Sequence, residues 1–282
     1  MWGIMPELPE VETTVRGLAT YLTGRRLARV APRREGLRRP FPADLAQRLV
    51  GARVVGLGRR AKYGLIHTDR GDTMVFHLGM SGRWRIEPDT LERHDHLLIE
   101  TAPEGDAPGA RLALNDARRF GSVDLVASDA LDGWPAFAAL GPEPLGPGLT
   151  AGHLLARLGG RAAPVKGLLL DQSVVAGLGN IYVCEALHRV GVSPLRAGAA
   201  LSGPEAAALV DAIRAVLGES ISAGGSTIRD YAQPNGELGY FATQWQVYGR
   251  EGEPCRQKGC TGAIARVTQA GRSSFYCPAC QR

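Results

Sequence analysis

The chain has 282 residues, 44% of them hydrophobic, which is enough for two domains with cores of their own; no apolar run is long enough to span a bilayer, so a soluble protein is expected. Its net charge of +5 points to a polyanionic partner, and the excess is local, because residues 1–60 hold twelve arginines against five acidic residues. Among 33 basic residues only Lys62, Lys166 and Lys258 are lysines, so a compact, titratable ammonium is a marked choice at each.

The first element carries the most chemistry. In Met5-Pro6-Glu7-Leu8-Pro9-Glu10-Val11-Glu12 a proline follows a possible start methionine and a carboxylate follows the proline. A mature N-terminal Pro6 would be a secondary amine, less basic than a lysine and partly unprotonated near neutral pH, hence a nucleophile able to attack a sugar C1′. The iminium so formed has no N–H to lose, stays cationic and acts as an electron sink for elimination. Taken alone, the stretch is better read as a plain helix start, since Pro9 suits a first turn and Val11, Val15, Leu18, Ala19 and Leu22 follow at helical spacing. Met1 to Ile4 stand ahead of Met5, and with them attached Pro6 is a tertiary amide without a nucleophilic nitrogen. They have neither the basic nor the apolar segment of a signal peptide, so translation is expected to start at Met5.

The helix from about Leu8 to Leu22 is expected to end at Gly24, suited to a left-handed cap. Strands are then predicted near residues 26–32, 53–57, 62–68, 73–78, 82–86, 96–101, 111–115 and 123–127, separated by turn-rich sequence, which argues for a sandwich or barrel over a parallel sheet. His94 and His96 fall on one face of a strand; with no third ligand in sight, hydrogen bonding or phosphate contact is expected there in preference to a metal. Trp134 to Gly148, with four prolines, reads as a linker. Thereafter the period is helical: Leu154, Leu155 and Leu158 mark one helix, Val165 to Leu170 another and Ile181 to Val190 a third. A fourth opens at the capping box Ser202-Gly203-Pro204-Glu205. Gly177-Leu178-Gly179-Asn180 is a tight turn opening onto a helix, either an ordinary connection or a place where free N–H groups and the Asn180 side chain grip a phosphate.

Cysteine usage separates sharply, with Cys184 alone and Cys255, Cys260, Cys277 and Cys280 close to the end of the chain. Two close pairs flanking a hairpin, residues 263–276, suit a tetrahedral Cys₄ zinc site, which is structural because it leaves no open position. Arg272 stands at the hairpin tip beside Gly271, either an ordinary surface arginine or one reaching a phosphate bidentately.

Together these residues carry a resemblance. Pro6-Glu7-Leu8-Pro9-Glu10-Val11-Glu12-Thr13, Arg60-Ala61-Lys62-Tyr63, His77-Leu78-Gly79-Met80-Ser81-Gly82, His94-Asp95-His96, Arg118-Arg119-Phe120-Gly121, Leu140-Gly141-Pro142-Glu143-Pro144-Leu145, Gly179-Asn180-Ile181-Tyr182, Gly239-Tyr240-Phe241, Val247-Tyr248-Gly249-Arg250 and the cysteine ribbon occur in order. From Pro6 to its end the chain resembles the bacterial formamidopyrimidine-DNA glycosylases. It departs in the residues before Pro6 and in the first cysteine pair, which has four intervening residues where the commoner pattern has two.

The resemblance implies an α+β fold: an N-terminal β-sandwich with a catalytic N-terminal helix, a C-terminal helix-two-turn-helix domain and a zinc ribbon. The expected divisions are 1–133 for the sandwich, 134–148 for the linker, 149–242 for the helical domain with a lesion-recognition loop, and 243–282 for the ribbon. Double-stranded DNA with oxidised bases or abasic sites is the implied partner, held in a basic cleft, and the protein is expected to be a cytoplasmic, nucleoid-associated monomer. The implied activity is a bifunctional glycosylase and AP lyase for oxidised purines, with a sister branch that prefers oxidised pyrimidines; a retained N-terminal extension would leave a non-catalytic damage binder. Pro6 is the implied nucleophile and Glu7 a general acid or proton relay. Lys62 is a cation at the same site, or in a rival mechanism the nucleophile itself, and Arg272 completes the catalytic group. Met80, Arg118 and Phe120 match the residues that fill the gap left by a flipped base, with Arg119 in the same run. Lys166, Asn180 and Arg272 bracket phosphates, His94 is counted with the DNA contacts, and residues 224–240 match the loop that closes over the base.

Overall fold

The computed structural model describes residues 5–225 and 241–282. They form two compact units, residues 5–138 with 223–225, and 139–222 with 241–282. The change of unit after Ala138 falls inside the proline-rich stretch, which also holds a single helical turn.

In the first unit α1 (Leu8–Leu22) buries Leu8, Val11, Val15, Leu18 and Leu22 on one face, against β2 and β3 of the sheet described next. Thr23 caps its C-terminus and Gly24 follows at φ +79°. Then come β1 (Leu27–Pro32), α2 (Leu45–Leu49), β2 (Val54–Arg60), β3 (Tyr63–Thr68), β4 (Asp72–His77), β5 (Arg83–Ile86), β6 (Asp95–Thr101), β7 (Arg111–Asn115), β8 (Ser122–Ala127) and the turn α3 (Pro135–Ala138). All eight strands begin within one residue of their predicted starts, and all but β2, which runs three residues further, end within one residue of their predicted ends. The short α2 was not visible in the sequence, because five residues give too little periodicity to separate a helix from a loop.

Two four-stranded antiparallel sheets result, ordered β1-β6-β7-β5 and β2-β3-β4-β8, the arrangement expected from the strand spacing. Trp84 from one sheet meets Phe76 from the other edge to face, ring centroids 5.6 Å apart, and both are buried. Gly64 on β3 sits directly opposite Phe76 on β4, and its missing side chain makes room for the ring: a Cβ there would lie 2.1 Å from Phe76 Cζ. With Trp84 behind it the ring cannot retreat. Gly64→Ala is therefore expected to cost about 3 kcal/mol, lowering Tm by roughly 6–12 °C in a thermal melt; an unchanged Tm would show that the ring repacks freely.

The second unit contains α4 (Ala151–Leu158), α5 (Val165–Leu169), α6 (Asn180–Arg189), α7 (Gly203–Ser222) and the hairpin β9 (Ala265–Gln269) and β10 (Arg272–Tyr276). α6 is its central element, buried without interruption from Ile181 to His188. Tyr182 Oη and Ser220 Oγ, 2.7 Å apart, tie it to α7. The predicted capping box forms, Ser202 donating its N–H to Glu205 Oε2 at 2.9 Å. No helix among the described residues is long and apolar enough to cross a membrane.

Candidate active site and metal centre

At the head of the first unit Pro6 is buried immediately before α1. Glu7 is the N-cap, and it forms a capping box with Glu10: the Glu7 carboxylate receives the Glu10 N–H, while the Glu7 N–H donates to Glu10 Oε2 at 2.9 Å. Both acids are buried. This reciprocal pairing, more familiar from serine and glutamate, fixes the carboxylate beside Pro6 before any ligand arrives. The positive end of the helix dipole faces the same point.

Lys62 occupies the second position of the two-residue turn between β2 and β3, after Ala61 in the left-handed region at φ +52°. Across the sheet, His77 pairs with Tyr63, ring centroids 4.9 Å apart, and its Nδ1 accepts the Gly79 N–H at 3.0 Å. Burial, then the charges of Lys62, Arg38 and Arg39, push the His77 pKa down to about 4, so the ring is neutral at physiological pH. His67, His96 and His188 are shifted the same way, mainly by burial. An unfolded histidine ionises near 6.5; a folded one held lower contributes stability that is complete above 6.5 and lost as pH falls toward 4. His77 alone is expected to account for about 2–3 kcal/mol across that window. A pH series of melts should show this slope and His77→Gln should flatten it; equal slopes in the two proteins would contradict the assignment.

Two loops meet at Asp116, which is buried. Its Oδ1 accepts from Ser81 Oγ at 2.6 Å and its Oδ2 from the Gly121 N–H at 2.9 Å, while Ser81 Oγ also accepts the Arg118 N–H at 3.0 Å. One carboxylate thus joins the turn bearing Met80 to the run bearing Arg118, Arg119 and Phe120. Gly79, at φ +63°, permits the close approach, since a Cβ there would stand 2.4 Å from the Phe120 carbonyl carbon. Phe120 is 45% exposed and carries the Arg118 guanidinium 4.9 Å above its ring. An exposed aromatic held on a braced loop contributes little to a core and is available to a ligand. Ser81 and His77 belong to the His77–Gly82 motif and Asp116 stands just ahead of Arg118, yet nothing local in the sequence gives any of them a role.

His94 lies in the turn before β6, and only His96 is in the strand; their ring centroids are 6.0 Å apart. The register shift between Asp95 and Leu97 breaks the alternation on which a shared face depended. His96 Nε2 is 3.0 Å from the Asp116 carbonyl oxygen, a hydrogen bond of the kind expected for this pair.

In the second unit Asn180 opens α6, and its Nδ2 donates to the Ser273 carbonyl at 2.9 Å and to Tyr248 Oη at 3.3 Å. Lys166, 1% exposed, donates from Nζ to the same carbonyl at 3.1 Å and to Ser274 Oγ at 2.7 Å. Both side chains converge on the strand that begins with the exposed Arg272. Lys166 and Arg272 line one cavity of about 510 Å³ with Pro164, Gly167, Leu170 and Gln269. The structure gathers these three residues and gives Lys166 and Asn180 a second task, bracing β10 under Arg272.

Cys255, Cys260, Cys277 and Cys280 bring their sulfurs within 4.8 Å of one another, the one metal-competent group of three or more His, Cys, Asp or Glu among the described residues. Cys255 and Cys280 Sγ are 3.9 Å apart and Cys260 and Cys277 Sγ 3.6 Å. A tetrahedral ion with metal–sulfur bonds of about 2.3 Å would space its sulfurs about 3.8 Å apart, so the cluster fits, and the four-residue loop of the first pair closes without difficulty. Burial first, and then the neighbouring sulfurs, push the Cys280 thiol up, which is the situation a bound cation relieves. α6 holds this ribbon: Glu185 accepts the N–H groups of Gln246, Val247 and Tyr248 at 2.9, 3.0 and 2.9 Å, and His188 Nε2 lies 3.4 Å from Cys255 Sγ.

Comparison with known proteins gives a consistent result. The family model of the formamidopyrimidine-DNA glycosylase N-terminal domain matches residues 5–123, and that of the formamidopyrimidine-DNA glycosylase H2TH domain residues 140–232. Formamidopyrimidine-DNA glycosylase of Novosphingobium aromaticivorans is 66% identical over 278 residues, covering 99% of this chain and 100% of its own. Among solved structures, the MutM (Fpg) protein of Thermus thermophilus superposes with a TM-score of 0.86 at 38% identity, covering 98% of each chain. A mutant Lactococcus lactis protein in complex with a Fapy-dG-containing DNA gives 0.89 at 31% identity, and the wild-type protein with an oxidised-pyrimidine-containing DNA 0.88 at 30%; each covers 98% of this chain and 100% of the other.

Proposed function

The chain belongs to the formamidopyrimidine-DNA glycosylase family, and from that membership we propose that it excises oxidised purines, 8-oxoguanine opposite cytosine and formamidopyrimidines, from duplex DNA and then cleaves the strand. The observation that carries the assignment of roles is the start of α1, where Pro6 stands against a buried carboxylate already locked by its capping partner. Released from residues 1–5, the Pro6 nitrogen attacks C1′ of the flipped nucleotide, the glycosidic bond breaks and the base leaves with a proton. Glu7 supplies a proton to the opening sugar oxygen. C2′ then gives up a proton, which the Glu7 carboxylate can take back, and its C–H electrons pass toward the iminium so that the 3′ phosphate leaves by β-elimination; loss of the C4′ proton from the conjugated product expels the 5′ phosphate by δ-elimination.

Lys62 provides a cation beside the nucleophile. Met80, Arg118 and Phe120 fill the vacated stack, with Arg119 at their side, and the Asp116 brace supports that reading because a filler must be stiff to displace a base. Lys166, Asn180, Arg272 and His94 belong to the phosphate-contacting set, and the ion in the ribbon is zinc. The four sulfurs support that choice, for soft thiolates in tetrahedral array favour it and a closed site is structural. Residues 226–240, expected to close over the base, lie outside the described residues.

The Glu7-Leu8-Pro9 start and the Arg118-Arg119-Phe120 run favour purine lesions. A second reading, oxidised pyrimidines, is favoured by the Lactococcus protein's complex with an oxidised-pyrimidine-containing DNA. Duplexes carrying 8-oxoguanine or thymine glycol separate the two. Faster base release and nicking of the 8-oxoguanine duplex is expected; the reverse order would transfer this chain to the sister specificity, and retardation of both without turnover would make it a damage binder.

A further inference from the structure

The turn that presents Lys62 has an unfavourable conformation, and an arginine from the preceding strand is bonded to it. Ala61 has φ +52°, a region that costs an alanine roughly 1–2 kcal/mol, so its surroundings must impose it. Arg59 is placed to do so: its Nη1 donates to the Ala61 carbonyl at 2.8 Å, and its Nε donates to Glu12 Oε2 on α1 at 3.0 Å. The Arg59 side chain is only 9% exposed, and Glu12 also pairs with Arg16 at 2.8 Å. The guanidinium therefore spans two elements, with one edge on the helix that begins after Pro6 and the other on the backbone that aims Lys62. Arg59 reaches the two partners from two different nitrogens, Nε and Nη1, whereas a lysine brings a single nitrogen that would have to stand within reach of both at once.

We infer that Arg59 is a positioning residue that fixes the Lys62 turn in register with the head of α1 through Glu12. The inference rests on the roles given above to Pro6 and Lys62. It predicts that Arg59 acts through Lys62, which a double-mutant cycle can measure. In protein starting at Pro6, Arg59→Met should slow borohydride trapping on an 8-oxoguanine duplex about tenfold, the scale expected of a misplaced catalytic group, while duplex binding changes less than about twofold. In a Lys62→Met background the same substitution should slow trapping less than about twofold. Arg59→Lys, the milder variant should Arg59→Met fail to fold, should fall between wild type and Arg59→Met, because it keeps the Glu12 pair and loses the Ala61 contact. Equal slowing by the Arg59 substitution in both backgrounds would mean a general structural role and overturn the inference. A wild-type adduct mapping away from Pro6 would instead overturn the underlying assignment of the nucleophile.

Discussion

Protein beginning at Pro6, reduced with borohydride while it acts on an oxidised duplex, should be trapped as a covalent adduct with the DNA, and protein retaining residues 1–5 should not. The difference is expected to be all or nothing, more than about a thousandfold, because it turns on whether a nucleophilic nitrogen exists at all. An acylated Pro6 has its lone pair delocalised into an amide and cannot attack C1′. Methionine ahead of a proline is ordinarily trimmed, so translation from Met5 would yield the free amine. Peptide mapping of the adduct should place DNA on Pro6. Equal trapping of unprocessed longer protein, or an adduct on Lys62, would refute the proline mechanism.

Removing the ion from the ribbon, or making Cys277→Ser, should abolish specific DNA binding, a loss of at least about a hundredfold, while leaving the first unit folded. The segment from Cys255 to the end has a small core, Cys255, Cys277 and Ile264 with the residues it packs on α6, so a bound ion would supply most of its folding energy, on the order of 10 kcal/mol if that ion is zinc. Without it β9 and β10 separate, and Arg272 loses the turn that presents it. Lys166 and Asn180 lose the Ser273 carbonyl at the same moment. Hydrogen exchange should rise across residues 255–282 and stay low across the strands of the first unit, and elemental analysis of active protein should find one zinc per chain. Metal-free protein that still binds and cuts would contradict this.

Much of this architecture is legible in the sequence because its signals are local. The eight strands are bounded by turn residues, α7 announces itself by Ser202 and Glu205, and two cysteine pairs flank a hairpin. What escaped is what depends on partners far along the chain. Glu7 reads as a free acid, since glutamate is an uncommon N-cap, yet it is the cap, and only the fold reveals that Glu10 completes the box. Lys166 reads as a phosphate contact, but nothing local says that two of its donors are engaged by residues more than a hundred positions away. His94 and His96 read as two positions of one strand, yet His94 lies in the turn before β6 and only the fold shows that their rings still meet edge to face. Asp116 is silent in the sequence because its meaning lies in joining Ser81 to Gly121.

That junction has a kinetic consequence. On the proposed roles of Met80, Arg118 and Phe120, two loops pinned to a single carboxylate are expected to enter a duplex together, as one prong. Fluorescent reporters placed on the lesion strand and on the opposite strand should then change with a common rate constant, and uncoupling the loops by Asp116→Asn or Ser81→Ala should split the trace into two phases. Their ordering entropy is also spent at folding and not at encounter. A wedge so prepared would probe each base pair it passes at little conformational cost, which suits a search through a great excess of undamaged sequence.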